Sequence, residues 1–174
     1  MSDHKPLSGP SVLSVPEGDT HKRLVCQDCG YIAYDNPKVV AACVCLWQGQ
    51  YLLCRRAIEP RRNYWTIPGG YLEQHETTAD GAKRESWEEA CCTIAIDGFV
   101  GIFEIPRVSQ IYVVHRGELT TPDFAPGPES LEVKLFDYAD IPWDELAFSS
   151  VDWALKQVHQ NQPTTGALAP ERPK

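Results

Sequence analysis

The segment from Gly70 to Cys92 constrains the fold more than any other part of this chain, because it joins a glycine turn to closely spaced carboxylates. The turn follows a short apolar run typical of a strand, and Thr77 is placed to cap the helix expected after it. In a helix, residues at i, i+3 and i+4 lie on one face. The sequence therefore predicts a strand, a tight turn and a helix with three carboxylates together, which are those of Glu85, Glu88 and Glu89.

These carboxylates allow two interpretations, a solvated acidic face or a site for cations. A like-charged pair on an exposed helix costs only about 0.2–0.5 kcal/mol, so an acidic surface helix would be tolerated. Small residues at helical spacing favour the second interpretation, because they form a narrow stripe that can pack closely on a sheet. They are Ala79, Ala82, Ser86 and Ala90. The glutamates flank this stripe, and oxygen ligands fixed in this way suit Mg²⁺ or Mn²⁺, which also bridge to substrate phosphates.

The same segment resembles the Nudix box, a pattern of one glycine, one arginine and four glutamates at fixed intervals. The match covers Gly70, Glu76, Arg84, Glu85, Glu88 and Glu89. Two positions depart from the pattern. Ser86 replaces an aliphatic residue and is small enough to keep the close packing, whereas Cys91 replaces the glycine that ends the helix. Because cysteine lacks the freedom of glycine at positive φ, we expect a different cap at this end.

The resemblance implies a role for each of these residues. Metal binding falls to Glu85, Glu88, Glu89 and the carbonyl group of Gly70. Arg84 would orient Glu85 or its neighbours rather than touch the substrate. Glu76 would support the loop and is a candidate ligand for a second metal, and both Glu73 and Glu76 are candidates for substrate binding. Metal ions between the phosphates would neutralise developing charge and lower the pKa of a bound water, which then attacks phosphorus.

A second acidic region lies in the segment 124–136, where a loop of proline and glycine leads into an alternating strand. Glu129 ends the loop and Glu132 lies within the strand. Either residue alone could face solvent. The resemblance implies that one of them reaches the metals as the general base, unless a box glutamate takes that role. Arg55 and Arg56, at the end of an earlier strand, are candidates for binding the phosphates.

Cys26 and Cys29, followed by a glycine, have the spacing of half a zinc knuckle. A structural zinc needs four ligands, and no second pair of this kind lies upstream. Three interpretations remain: a degenerate zinc ribbon without metal, a zinc completed by histidine or by a partner chain, and a redox pair. We favour the first, because thioredoxin-like chemistry would place the pair at the start of a helix. A zinc ribbon precedes the catalytic domain in one Nudix subgroup.

Composition excludes several classes of protein. A net charge of −8 argues against nonspecific binding of nucleic acid. The longest apolar run, residues 39–47, is far shorter than the roughly 20 residues that span a bilayer. Seven cysteines, several in strand-like runs, fit buried reduced thiols better than a disulfide framework. We therefore expect a cytoplasmic protein that acts on a small molecule, with no nucleic acid or membrane partner.

The pattern of elements predicts an α/β fold, a Nudix-type α/β/α sandwich around a mixed β-sheet, with a short zinc-ribbon-like arm at the N-terminus. The expected parts are an arm with a degenerate ribbon at 1–36, a hydrolase domain at 37–159 and a disordered tail at 160–174. Within the domain we expect a hairpin at 38–55.

The resemblance becomes narrower in four further motifs, at 29–38, 65–73, 124–132 and 141–150, which are similar to bacterial and plastid Nudix enzymes that cleave ADP-ribose and FAD. It implies hydrolysis of the central pyrophosphate with release of AMP. An NADH pyrophosphatase is the first alternative, and a catalytically weakened Nudix-fold protein that binds or senses nucleotides is the second. The intact glutamates favour an enzyme. A homodimer is compatible with the resemblance, in which the arm could pack across an interface.

Overall fold

A computed structural model describes residues 9–160 and 167–170 of the chain. The chain divides into two compact units, Met1–Asn36 and Pro37–Lys174. The first unit contains an antiparallel sheet of three strands, which are Pro10–Ser14 (β1), Arg23–Cys26 (β2) and Ile32–Ala33 (β3), with β2 in the centre.

The second unit contains a large mixed sheet and two α-helices. Its strands are Lys38–Trp47 (β4), Gln50–Arg56 (β5), Trp65–Thr66 (β6), Gly69–Tyr71 (β7), Ile94–Ile105 (β8), Gln110–Leu119 (β9), Ser130–Phe136 (β10) and Ala167–Pro170 (β11). The helices are Thr78–Ala90 (α1) and Ser149–His159 (α2). The strand order is β10-β5-β4-β9-β8-β11, with β6 beside β5 and β7 beside β4. Two pairs, β4 with β9 and β8 with β11, are parallel, and the other pairs are antiparallel. The mixed sheet and the hairpin of β4 and β5 confirm the expected class.

Strand β4 explains why the two helices lie on opposite faces of the sheet. Its side chains alternate between two buried clusters, so that the strand is apolar almost without interruption. Ala41, Cys43 and Cys45 pack in the cluster that contains Ala82 and Ala90 of α1. The intervening Ala42, Val44 and Leu46 pack with Val151, Ala154 and Leu155 of α2. The expected α/β/α sandwich is confirmed.

The cysteines behave as small apolar residues in this core. All seven are free thiols, and Cys43, Cys45, Cys54 and Cys92 are buried in the cluster beneath α1. Ser86 of α1 lies against the same cluster and is fully buried. Its hydroxyl donates to the carbonyl of Ala82 at 2.7 Å and lies 3.5 Å from the sulfur of Cys45. The serine therefore fits the close packing, and its buried hydroxyl has partners.

Helix α1 begins as the sequence predicts and ends differently. The hydroxyl of Thr77 accepts a hydrogen bond from the Asp80 N–H at 3.1 Å, which caps the first turn. At the other end, Cys91 itself adopts the left-handed conformation with φ of 47°, and its N–H donates to the carbonyl of Trp87 at 2.8 Å. The expectation of a different cap is wrong, because the helix keeps the cap geometry that normally requires glycine.

Replacing Cys91 by glycine is expected to raise the free energy of unfolding by about 0.5–1 kcal/mol. The left-handed conformation costs a residue with a Cβ atom roughly 1–2 kcal/mol, and the greater freedom of glycine in the unfolded chain cancels about 0.4–1 kcal/mol of this gain. Urea unfolding of the two proteins measures the difference. Cys91→Ala is the control, since it removes the thiol and keeps the strain; equal gains in both variants would contradict this explanation.

The C-terminal segment differs from the expected disordered tail at residues 167–170. This strand pairs in parallel with 101–104 of β8. Residues 161–166 and 171–174 of the expected tail lie outside the described residues. Within the described ranges, no helix is long and apolar enough to cross a membrane.

Candidate active site

A wide cleft with a volume of about 2290 Å³ lies in the second unit, and the predicted glutamates of α1 line one side of it. Glu85 and Glu89 are buried, with 8% and 6% of their surface exposed, whereas Glu88 is exposed. The burial follows from the small stripe of α1, which draws the helix onto β4 and leaves the flanking carboxylates at the edge of the core. The acidic face is therefore partly desolvated, unlike that of an ordinary surface helix.

Arg84 holds three of the carboxylates in place. Its guanidinium group contacts Glu76 at 2.7 Å, Glu85 at 2.6 Å and Glu88 at 3.0 Å. It also donates to the carbonyl of Tyr71 at 3.0 Å. The pKa of Arg84 is raised, first by its bonds to Glu76 and then by those to Glu85. The geometry agrees with the orienting role implied for this arginine.

Glu76 ties the turn to the helix. One carboxylate oxygen accepts the N–H of Glu73 at 2.7 Å, and both oxygens accept hydrogen bonds from Arg84. These bonds lower the pKa of Glu76, with Arg84 the largest cause. Because both oxygens are engaged, the geometry favours support of the loop over the candidate roles in metal and substrate binding. Glu73 lines the cleft with an exposed side chain.

Two glycines of β7 let the backbone approach the carboxylates closely. The Gly69 N–H donates to Glu89 at 3.3 Å. A Cβ atom placed on Gly70 would overlap the carboxylate of Glu85. A side chain at position 70 would therefore displace Glu85. Sequence reasoning placed both glycines in the turn but assigned only Gly70 to the site, although the pair of adjacent glycines was a signal for both.

Burial also changes the acidity of the two inner carboxyl groups. Desolvation, followed by the nearby charge of Glu85, raises the pKa of Glu89 to about 8. Desolvation likewise raises the pKa of Glu85, although Arg84 opposes the change. Two such carboxylates side by side are costly without a positive charge between them. The pair is suited to accept a cation.

The loop 124–129 docks on the C-terminal end of α1. The N–H groups of Ala125 and Gly127 donate to the carbonyls of Ala90 and Glu89 at 2.9 and 3.0 Å. These carbonyls belong to the last turn of the helix, where no intrahelical donor is available. A Cβ atom on Gly127 would overlap the carbonyl oxygen of Glu88, so this close contact requires glycine. The sequence marked the loop by its prolines and glycine, but not its docking site.

The docked loop separates the candidates that the sequence left open. Glu129 lines the cleft and acts electrostatically on both Glu85 and Glu89. Glu132 pairs with Arg55 across the β5–β10 ladder, with 3.8 Å between the charged atoms. In the described part of the chain, neither Glu132 nor Arg55 is among the residues that line the cleft.

Arg56, unlike its neighbour, faces the cleft. It lies 5.2 Å from the centre of the Phe148 ring, and its Nε donates to the carbonyl of Pro60 at 2.9 Å. Burial raises the pKa of Glu89, and the charge of Arg56 lowers it by a smaller amount. Arg55 instead donates to the carbonyl of Asn63 at 3.0 Å. The structure thus favours Arg56 as the arginine available to a ligand.

The side chains present fit a hard divalent cation, because they offer carboxylate oxygens, and burial raises the pKa values of Glu85 and Glu89. The side chains are not converged for one. Among the described residues, no three acidic, histidine or cysteine side chains lie together as metal ligands. Glu85 and Glu88 are both turned toward Arg84. These hydrogen bonds use one carboxylate oxygen of each residue, Oε1 of Glu85 and Oε2 of Glu88, so Arg84 does not engage the other oxygen of either.

Cys26 and Cys29 lie in the first unit, where Cys26 ends β2 and Cys29 lies in the turn between β2 and β3. The Gly30 N–H donates to the carbonyl of Cys26 at 2.9 Å, and the Cys26 N–H donates to the carbonyl of Tyr31 at 2.8 Å. Hydrogen bonds from the backbone of Cys29 and then Asp28 lower the pKa of the Cys26 thiol. This turn has the features of a metal-binding knuckle, but the described residues place no further ligand with the pair.

Each of the two units matches a known protein family. A family model described as NUDIX domain matches residues 36–156, and one described as Nudix N-terminal, a zinc ribbon, matches residues 8–35. The chain belongs to the Nudix family of hydrolases. This membership confirms the resemblance and the enzyme class expected from the box.

Individual relatives are similar to different extents. A crystal structure of a NUDIX hydrolase from Nitrosomonas europaea has a TM-score of 0.85 at 40% identity, over 92% of this chain and 93% of that one. An ADP-ribose pyrophosphatase from Methanocaldococcus jannaschii is 25% identical over 68% of this chain and 71% of its own length. A MutT-like protein from Streptomyces ambofaciens is 37% identical over 77 residues, and the match spans about half of its length.

Proposed function

We propose that this protein hydrolyses the pyrophosphate linkage of nucleoside diphosphate derivatives, with ADP-ribose and FAD as its substrates and AMP as a product. The observation that carries the proposal is the pair of buried carboxylates, Glu85 and Glu89, held beside a cleft by Arg84 and the glycines of β7. A protein that only bound nucleotides would gain nothing from two buried acidic groups that face a polyanion. The arrangement is useful where a cation joins the carboxylates to the phosphates.

The residues that would hold the metal are Glu85, Glu89 and Glu88 of α1, with the Gly70 carbonyl as a further ligand. The chemistry supplied by a bound divalent cation such as Mg²⁺ is neutralisation of charge on the diphosphate and acidification of the attacking water. Arg84 positions Glu85 and Glu88. Glu129 is the candidate general base, because it lines the cleft from a loop that is fixed to α1 by two backbone hydrogen bonds.

The choice of substrate rests on the motifs shared with ADP-ribose and FAD hydrolases and on the name of the archaeal relative. The cleft supports it in size, since about 2290 Å³ exceeds the roughly 300–1,000 Å³ of most small-ligand sites. Tyr112, Phe103 and Trp153 line it and offer apolar surface to the base and sugar.

Release of AMP from ADP-ribose, FAD and NADH, measured with Mg²⁺ and with Mn²⁺, tests the proposal. We expect turnover of ADP-ribose and FAD that depends on the metal and is lost with EDTA. Preferred cleavage of NADH would favour the alternative substrate. Binding of all three compounds without turnover would show a sensor and would contradict the enzyme.

Arg56→Ala is expected to lower kcat/KM by about 10-fold or more, because a charged hydrogen bond to phosphate contributes roughly 1.5–3 kcal/mol. Arg55→Ala is the matched control, since its side chain pairs with Glu132 outside the cleft. Steady-state kinetics with ADP-ribose measures both variants. Equal losses in the two would contradict the assignment of Arg56 to the substrate.

A further inference from the structure

Helix α2 begins in the wall of the cleft without a side-chain cap. Its N-cap residue is Phe148, which offers no side-chain acceptor, and the N–H groups of Val151 and Asp152 donate to the Phe148 carbonyl at 3.1 and 3.4 Å. The N–H groups of Ser149 and Ser150 have no hydrogen-bond acceptor among the described residues. Both serines line the cleft. Two backbone donors are thus available at the positive end of a helix.

The side chain of Ser150 gives an independent indication. Ser150 is only 2% exposed, and its Oγ is the buried side-chain polar atom that lacks a hydrogen-bond partner in the described part of the chain. A buried hydroxyl without a partner is unfavourable, and such groups are rare in folded proteins. A ligand group that accepts hydrogen bonds would satisfy this hydroxyl together with the two N–H groups.

The surrounding charges favour an anion as that group. Arg56 lies over the ring of Phe148, at the start of the same helix. Asp152 is the acidic residue of the first turn and also lines the cleft, but its carboxylate is paired with Lys156 at 2.6 Å. The partial positive charge of the helix end and the arginine therefore act together.

We propose that the start of α2 is a second phosphate-binding subsite. It receives the phosphoryl group that lies farther from the glutamates of α1, through the N–H groups of Ser149 and Ser150 and the hydroxyl of Ser150. The identification of that phosphoryl group as part of a substrate diphosphate rests on the proposed function. The motif 141–150 contains none of the proposed metal-binding glutamates, and the subsite gives this motif a function.

The test is a calorimetric titration of the metal-free protein, kept in EDTA, with inorganic phosphate and with AMP. Ser150→Ala removes the hydroxyl alone. It is expected to lower the affinity for both probes by about 10-fold or more, the usual effect of losing a hydrogen bond to a charged group. Ser149→Pro removes one N–H donor and is expected to do the same. Proline suits the first helical position, and the extended backbone of Phe148 is compatible with a following proline. Ser149→Ala keeps the N–H and should bind both probes as the unchanged protein does.

Thermal unfolding separates this role from a structural one. Because the hydroxyl has no partner in the free protein, Ser150→Ala should melt no lower than the unchanged protein, while losing much of the stabilisation by phosphate. Unchanged affinity in both Ser150→Ala and Ser149→Pro, or no binding of either probe to the metal-free protein, would overturn the subsite. If ADP-ribose and FAD were not hydrolysed but phosphate affinity still depended on Ser150, the proposed function would fail and the subsite would stand.

Discussion

Replacement of Glu89 by glutamine is expected to raise the melting temperature of the metal-free protein by roughly 5–10 °C at pH 8, since about 2–4 °C corresponds to 1 kcal/mol in a chain of this size. The same variant should lose hydrolase activity by at least about 100-fold, because loss of even an indirect metal contact costs roughly 10–100-fold. The gain in stability and the loss of activity have one cause, which is the buried charge.

The higher melting temperature expected of Glu89→Gln follows from the pKa of Glu89, which burial raises from 4.5 to about 8. Between these values the folded protein binds more protons than the unfolded chain, so its stability falls as the pH rises from about 5 to 8. The full loss is a few kcal/mol, at about 1.36 kcal/mol for each unit of pKa. Glutamine stays neutral over this range and can still accept the N–H of Gly69.

Thermal unfolding in EDTA between pH 5 and pH 8 measures the effect. The unchanged protein should lose stability across this window and regain it when Mg²⁺ is added. Glu89→Gln should show a smaller loss and little response to Mg²⁺. Parallel curves for the two proteins would show that the charge on Glu89 is not what destabilises the metal-free state.

Gly127→Ala is expected to lower kcat by about 100-fold or more and the free energy of unfolding by about 1–3 kcal/mol, the usual cost of forcing extra atoms into a packed contact. The new methyl group would overlap the carbonyl oxygen of Glu88, so the loop must move away from α1. Glu129, two residues further on, would move with it. Displacement of the general base would remove a rate enhancement of about 10²–10⁴-fold.

Two further variants isolate these effects. Gly98→Ala is the matched control, because a Cβ atom there would meet only the side chain of Arg116 at an ordinary 3.5 Å. Glu129→Gln should reproduce the loss of kcat without the loss of stability, since Glu129 is exposed. A Gly127→Ala variant that unfolds more easily but turns over normally would show that the position of Glu129 does not matter.

The sequence predicted the parts of the site that depend on local spacing. The glutamates of α1 and the glycine before them are fixed by the periods of a helix and a turn, so they could be recognised without knowledge of the sheet. The cap at Cys91 was predicted wrongly, because the penalty for a cysteine at positive φ is small beside the packing of the helix and the docked loop.

The choice between Arg55 and Arg56, and between Glu129 and Glu132, could not be predicted from the sequence. It depends on how β5 and β10 pair, and the register shifts between Ser130 and Glu132. An irregularity of one residue changes which side chains reach the cleft. The start of α2 could not be assigned either, since an unpartnered hydroxyl becomes visible only when all its neighbours are in place.

The docked loop also determines where the length of this chain could change without harm. The connection from β9 is fixed at one end by the Thr120 N–H, which donates to the carbonyl of Thr93 at 2.8 Å, and at the other by Ala125 on α1. The residues between them, 121–123, are exposed. A fluorescent reporter or an additional domain inserted there would leave Glu129 in position, which makes this short bend a natural point for engineering the enzyme.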